Sequence, residues 1–96
     1  MEKLNDEQRK FVRKVLSLPS MELINLALSY VNLSDFQRQV LKVLELDKKT
    51  EMEAVEILST NELYVDLRRI QRAKKEAFEK MYEVWSHNYL ISKVMN

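Results

Sequence analysis

Few side chains in this sequence can do catalytic chemistry, and their spacing does not group them into a catalytic site. His87 is the only histidine, no cysteine is present, and the nearest carboxylate at helical spacing is that of Glu83. One imidazole without a thiolate argues against the usual zinc sites and against a nucleophile–base pair. The absence of glycine removes phosphate-cradling loops as well. The sequence therefore predicts no enzyme, catalytic residue, metal, cofactor or small-molecule substrate.

The charged residues are balanced in number but unevenly distributed. The chain has 16 basic and 15 acidic residues and a net charge of +1, which argues against a polybasic tail or an acidic disordered segment. Residues 50–66 carry five acids and no base, whereas residues 67–83 carry six bases and three acids. Arg68, Arg72 and Lys75 would share one helix face, with Arg69 adjacent, and such a face can contact phosphates.

Helices must position these residues, because four segments begin with a capping box. In this motif Ser, Thr or Asn precedes the helix and Glu or Gln follows three residues later. The pairs are Asn5 with Gln8, Ser34 with Gln37, Thr50 with Glu53, and Ser59 with Glu62. A fifth helix start is Ser20, after Pro19. The sequence predicts an all-α protein, a compact bundle of four short helices and one long C-terminal helix, at 5–17, 20–32, 34–46, 50–58 and 61–92.

The chain is short enough for a single helical domain, residues 1–96, within which three segments are predicted to have different roles. Residues 1–32 are predicted to form a supporting helical hairpin, residues 33–81 a helix-turn-helix-like core, and residues 77–96 an extension of the last helix. The second helix is apolar nearly all round, so we expect the first and third helices to bury it. No run of about 18 apolar residues predicts a membrane span, and the lack of cysteine points to the cytoplasm.

The last helix carries an aromatic stripe at helical spacing, consisting of Phe78, Tyr82, Trp85 and Tyr89. The stripe either covers the end of the bundle near Phe11 and Phe36, or it forms an interface with a partner or a second copy of the chain, since aromatic anchors carry much interface energy. A continuous helix from Asn61 to Ser92 would be about 48 Å long. Its most favoured break is the polar cluster Ser86–Asn88.

Residues 50–58, a short polar turn at Ser59–Asn61 and an arginine-bearing helix follow each other as in a helix-turn-helix. The stretch resembles region 4 of bacterial sigma factors and the small sigma-like late-transcription regulators of phages from Gram-positive bacteria. The resemblance covers about half of the chain. The matching residues are Leu33, Ser34, Arg38, Val40 and Leu41 in one helix, and Thr50, Glu53, Val55, Glu56 and Leu58 in the next.

The resemblance implies a small DNA-binding regulator of transcription. Its expected partners are double-stranded DNA and, at the C-terminal helix, a second copy, RNA polymerase or a host protein. Asn61 would cap the recognition helix. The expected phosphate contacts come from Arg68, Arg69, Arg72, Lys74 and Lys75.

A second interpretation stays open. The basic face would then be a solvated surface laced with ion pairs such as Arg72–Glu76 and Lys75–Glu79. The chain would be a helical protein-interaction module, an adaptor or an inhibitor of a host or partner protein. Its binding residues would be the aromatic stripe, Phe78, Tyr82, Trp85 and Tyr89.

Overall fold

A computed structural model describes residues 3–95, and every regular element in this range is helical. The predicted all-α class is therefore confirmed. None of the helices in the described range is both long and apolar enough to cross a bilayer. The elements are α1 (Asp6–Leu16), α2 (Met21–Ser29), α3 (Asp35–Leu41), a π-helical segment (Lys42–Leu46), α4 (Glu51–Leu58), α5 (Leu67–Trp85) and α6 (Tyr89–Met95).

Three of the four predicted capping boxes are confirmed. The side chains of Asn5, Ser34 and Thr50 each accept a hydrogen bond from the backbone N–H three residues on, and the Gln or Glu at that position accepts one from the cap's own N–H. Ser20 also caps its helix, since its hydroxyl accepts from the N–H of Leu23. These contacts satisfy backbone donors that the first helical turn leaves without partners.

The fourth predicted box, Ser59 with Glu62, is wrong. The hydroxyl of Ser59 instead accepts from the N–H of Val65 at 2.9 Å, and Asp66 Oδ1 accepts from the N–H of Arg69 at 2.8 Å. The last helix therefore begins at Leu67 rather than Asn61, and Asp66 is its cap. The physical reason is Val65, whose side chain is 1 % exposed. The chain folds back on Ser59 to bury it.

The long helix also ends earlier than a continuous helix would. α5 has 19 residues, so it is about 28 Å long instead of about 48 Å. It stops before the polar cluster Ser86–Asn88, which was the expected break. Asn88 then caps α6, because its Oδ1 accepts from the N–H of Ile91 at 3.1 Å.

The helices form two compact units, and the first comprises residues 1–32 and 78–96. Here α1 packs against α2 and α6. Trp85 is fully buried, and its indole N–H donates to the backbone oxygen of Ala27 at 2.8 Å. Other buried residues of this unit are Leu4, Val12, Val15, Leu16, Ile24, Ala27, Val31, Phe78, Glu79, Met81 and Ile91.

The expectation that α2 is buried nearly all round is wrong. Within the predicted helix, 20–32, Ile24, Ala27 and Val31 are buried, whereas Met21, Leu26 and Tyr30 are exposed. An apolar sequence alone does not supply neighbours on every side of a helix.

The second unit comprises residues 33–77. It has its own hydrophobic core, to which α3, the π-helical segment, α4 and the first part of α5 contribute. Val65 enters the same core from the connection between α4 and α5. The buried residues of the cluster are Val40, Val43, Leu44, Ala54, Val55, Val65, Ile70 and Ala73.

Replacing Trp85 tests the core of the first unit. Trp85→Ala should lower the free energy of unfolding by about 3–5 kcal/mol, since it opens a cavity and removes the indole donor. The matched control is Tyr89→Ala, four residues on, at a side chain that is 69 % exposed. It should change stability by less than about 0.5 kcal/mol. Urea unfolding followed by far-ultraviolet circular dichroism measures both, and equal losses would contradict the assignment of Trp85 to the core.

Two single substitutions test where α5 begins. Asp66→Ala should destabilise the protein by about 1 kcal/mol, because it removes the cap of α5. Asn61→Ala should be close to neutral, since Asn61 lies exposed in the connection. Urea midpoints of the two variants give the comparison. The reverse order of effects would restore the helix start at Asn61.

Candidate nucleic-acid interface

Three basic side chains form one row on the outer surface of α5. Arg68, Arg72 and Lys75 are exposed and, at 100° per residue, project within an arc of about 60°. The row covers about 10 Å along the axis at 1.5 Å per residue. We call these three residues the basic stripe.

Arg69 lies beside the basic stripe and is held differently. Its guanidinium carbon is 4.4 Å from the centre of the Phe36 ring, which joins α5 to α3 within the second unit. A guanidinium stacked on a ring keeps its N–H groups at the rim, where they can still meet an anion. The contact therefore orients Arg69 without consuming its donors.

Lys74 does not belong to this group. It lies about 160° around the helix axis from Arg72, and it is half-buried rather than exposed. Lys74 therefore does not share the face of the basic stripe, and its predicted phosphate contact stays a prediction.

The beginning of α5 places positive charge at an unfavourable position. Arg68 and Arg69 are its second and third residues, and its first turn contains no acid. The N-terminus of a helix is the positive end of its dipole, so each exposed cation there costs about 0.3–1 kcal/mol. Asp66 offsets part of this cost, but one of its oxygens is committed to the N–H of Arg69. The Phe36 ring gives Arg69 a structural role, and an anion at this helix end would make the positions of both arginines favourable.

The ion pairs expected for a merely solvated face do not form. Within residues 3–95, Arg72 makes no ion pair with Glu76, and Lys75 makes none with Glu79. The residue between the basic side chains, Gln71, points to α4 and donates to Glu51 Oε1 at 3.1 Å. The charges of the basic stripe are therefore not neutralised by neighbouring carboxylates on the same helix.

The connection between α4 and α5 differs from the predicted one. It runs over residues 59–66, so the predicted three-residue turn at Ser59–Asn61 is wrong. Glu62 and Asp66, which the predicted register put in the first turns of the recognition helix, precede α5 instead. This removes two acids from the helix that carries the basic stripe. The helix-turn-helix assignment stays a prediction.

The aromatic stripe is largely core. Phe78 and Trp85 are buried within the first unit, so the expected interface is wrong for both residues. Tyr82 is half-buried and meets Phe11 edge-on, with the ring centres 5.9 Å apart. Only Tyr89 of the four is exposed, because the helix break at Ser86–Asn88 turns it away from the rest.

The single histidine has a local structural contact. His87 Nδ1 lies 2.8 Å from the backbone oxygen of Glu83, and since a carbonyl only accepts, Nδ1 carries the hydrogen. The partner is thus the carbonyl of Glu83 rather than its carboxylate. Within the described residues no group of three or more His, Cys, Asp or Glu side chains is placed to hold a metal ion.

One carboxylate on α4 has a shifted pKa and provides a test by pH. The backbone N–H and hydroxyl of Thr50 lower the pKa of Glu53 below its ordinary value of 4.5. Since the folded pKa is the lower one, the stabilisation by ionised Glu53 is present above about pH 4.5 and is lost as the pH falls through the folded pKa. Wild type should exceed Glu53→Gln in stability at pH 7, and the difference should shrink when the pH is lowered well below 4.5. Urea midpoints at both pH values measure it, and a difference that persists in acid would contradict the cause given.

Comparison with known proteins adds no assignment to this geometry. No protein family, characterised protein or solved structure gives a significant match to the chain. The resemblance to sigma factor region 4 is therefore neither supported nor opposed by a relative.

Proposed function

We propose that this chain is a small DNA-binding regulator of transcription that contacts the phosphates of double-stranded DNA through the basic stripe, with Arg69 at its edge. The protein acts as a binding module rather than an enzyme. DNA binds to the first three turns of α5, and the core of the second unit holds that helix in place.

The observation that carries the proposal is the position of Arg68 and Arg69 at the positive end of α5. Helix N-termini bind anions because their backbone N–H groups and the helix dipole both favour negative charge. A phosphate bound at this helix end would compensate the repulsion between the two arginines and the positive end of the helix dipole. The two arginines and the helix end then attract the same ligand.

The dimensions of the basic stripe agree with a DNA strand. Its three side chains are spread over about 10 Å of α5, a length over which one strand presents more than one phosphate. Exposed Arg and Lys side chains at the spacing i, i+4, i+7 can follow such a strand in succession. Contacts of this kind fix the position of the protein but do not read the base sequence. Affinity from three or four charges is modest and depends strongly on salt.

The role in transcription is the part of the proposal that rests on the resemblance to sigma factor region 4. The same resemblance motivates a protein partner such as RNA polymerase, or a second copy of the chain. A dimer would bring two basic stripes to one duplex, which multiplies weak binding.

A second candidate function is that of a helical protein-interaction module. The observation that favours it is the outer face of α6, where Tyr89, Leu90 and Val94 are all exposed. Of the interface predicted from the sequence, Tyr89 is the residue that remains accessible. The module would then bind a protein rather than DNA.

Fluorescence anisotropy with a random-sequence duplex across a salt series tests the DNA proposal. Wild type should bind with a log–log salt slope of about −3 to −4, since each neutralised phosphate contributes about −0.9. Arg68→Glu combined with Arg72→Glu should weaken binding by at least about tenfold at low salt. The same variant should unfold at an equal or higher urea concentration than wild type, because an acid replaces a base in the first turn of α5.

The matched control is Lys10→Glu combined with Lys14→Glu, which makes the same change in net charge at the same spacing on α1. Both lysines are exposed. This control should lose less affinity than the variant of the basic stripe. Equal losses would mean that DNA responds only to net charge, and the proposed interface would be wrong. Absence of binding by wild type at low salt would leave the protein-interaction module as the better function.

A further inference from the structure

A second surface of the second unit combines exposed apolar side chains with acids. The outer side of α4 presents Met52 and Ile57 at its two edges, with Glu53 and Glu56 between them, and all four are exposed. The inner side of the same helix buries Ala54 and Val55. α4 thus has one face in the core and another that no residue of the unit covers.

The connection after α4 extends this surface. Leu63 and Tyr64 are 51 % and 73 % exposed, although large apolar side chains are usually buried. The backbone N–H of Thr60 donates to the oxygen of Leu63 at 2.8 Å, and Ser59 is bonded to Val65. Both contacts fold the connection back onto the end of α4. The backbone of Leu63 and Tyr64 therefore stays near the C-terminal end of α4.

We call this surface the α4 face. Its apolar residues include a tyrosine and a methionine, two types that are enriched where proteins bind each other. Its members are Met52, Glu53, Glu56, Ile57, Glu62, Leu63 and Tyr64.

The charge of the α4 face points to a basic occupant. No base occurs between residues 50 and 66. Lys49 lies just before the N-terminal end of α4, where its charge helps to lower the pKa of Glu53. Glu56 lies in the last turn of α4, which contains no basic residue. A helix C-terminus is the negative end of the dipole and favours cations. The C-terminal end of α4 is therefore negative for two reasons, the carboxylate of Glu56 and the helix dipole. Residues 50–66 contain no cation that would balance this charge.

We propose that the α4 face binds an amphipathic helix of a protein partner, one with leucine-type side chains along one side and lysine or arginine at its margins. The apolar side would contact Ile57, Leu63 and Tyr64, and the cations would lie near Glu56 and Glu62. This pattern is the usual mode by which a helix docks on an apolar surface with a polar rim. DNA is not the occupant, because its phosphates would meet carboxylates.

A second copy of the chain is a less suitable occupant. Its basic stripe is complementary in charge to the α4 face, but the two surfaces lie on different parts of the unit. A contact between different surfaces of identical chains continues from copy to copy and forms open assemblies unless it closes into a ring. It would also cover the residues proposed to bind DNA. A separate partner leaves the basic stripe accessible.

The probe for this proposal is a fluorescein-labelled helical peptide of about 14 residues with leucine on one side and lysine on the other. A matched peptide carries glutamate in place of lysine. The lysine peptide should bind the full chain with a micromolar Kd that weakens with salt, and the glutamate peptide should not bind. Ile57→Ser and Tyr64→Ser should each weaken binding by about tenfold. Glu56→Gln with Glu62→Gln should weaken it less and reduce its dependence on salt.

The controls are Leu26→Ser and Tyr89→Ser, at exposed apolar residues of the first unit, and both should bind the peptide as wild type does. The Arg68→Glu, Arg72→Glu variant should also bind it unchanged, so that this proposal and the DNA proposal can fail separately. Circular dichroism verifies that every variant is folded. Absence of saturable binding, or binding that the α4-face variants leave unchanged, would overturn the proposal. So would concentration-dependent sedimentation of the chain alone that Tyr64→Ser abolishes, since the occupant would then be a second copy.

Discussion

The hydrogen bond between Ser59 and Val65 is the contact on which the surfaces of the second unit depend. The hydroxyl of Ser59 accepts from the N–H of Val65 at 2.9 Å, and the side chain of Val65 enters the core. Together they fold residues 59–66 into a closed connection and fix Leu67 as the first residue of α5. This start places Arg68 and Arg69 in the first helical turn. The same closure brings Leu63 and Tyr64 to the end of α4 and so completes the α4 face.

The helical class and most helix starts could be predicted from the sequence because their causes are local. A capping box joins residues only three positions apart, so Asn5, Ser34 and Thr50 carry the whole signal within one turn. The break near Ser86–Asn88 is local too, since Asn88 caps the helix that follows. The basic stripe was likewise found from helical spacing, because residues four and seven apart share a face wherever the helix begins.

The start of α5 could not be chosen from local signals alone. Ser59 and Asp66 are both good caps, and burial of Val65 in a core built from distant residues decides between them. The helical spacing also identified the aromatic face, but it does not show what covers that face. Trp85 is buried, and α2 supplies the backbone oxygen of Ala27 that accepts from its indole N–H. Lys48 is a local exception: it has φ 57°, a conformation that favours glycine, in a chain that contains none. For the start of α5 and for Trp85, the outcome depends on residues far away in the sequence.

At both ends of the 59–66 connection, charged side chains lie at a helix end whose dipole they oppose. Glu56 lies at the negative end of α4, and Arg68 and Arg69 lie at the positive end of α5. Both placements oppose the helix dipoles, and exchanging the signs would stabilise both helices. Elsewhere in the unit Asp35 begins α3 and Glu51 and Glu53 begin α4, as the dipole favours, whereas Glu45 lies near the C-terminal end of the π-helical segment and Asp47 is its C-cap. The two placements at the 59–66 connection would become favourable once a ligand of opposite charge binds there. A unit whose nine bases and nine acids cancel between residues 33 and 77 can in this way attract an anion at one surface and a cation at another.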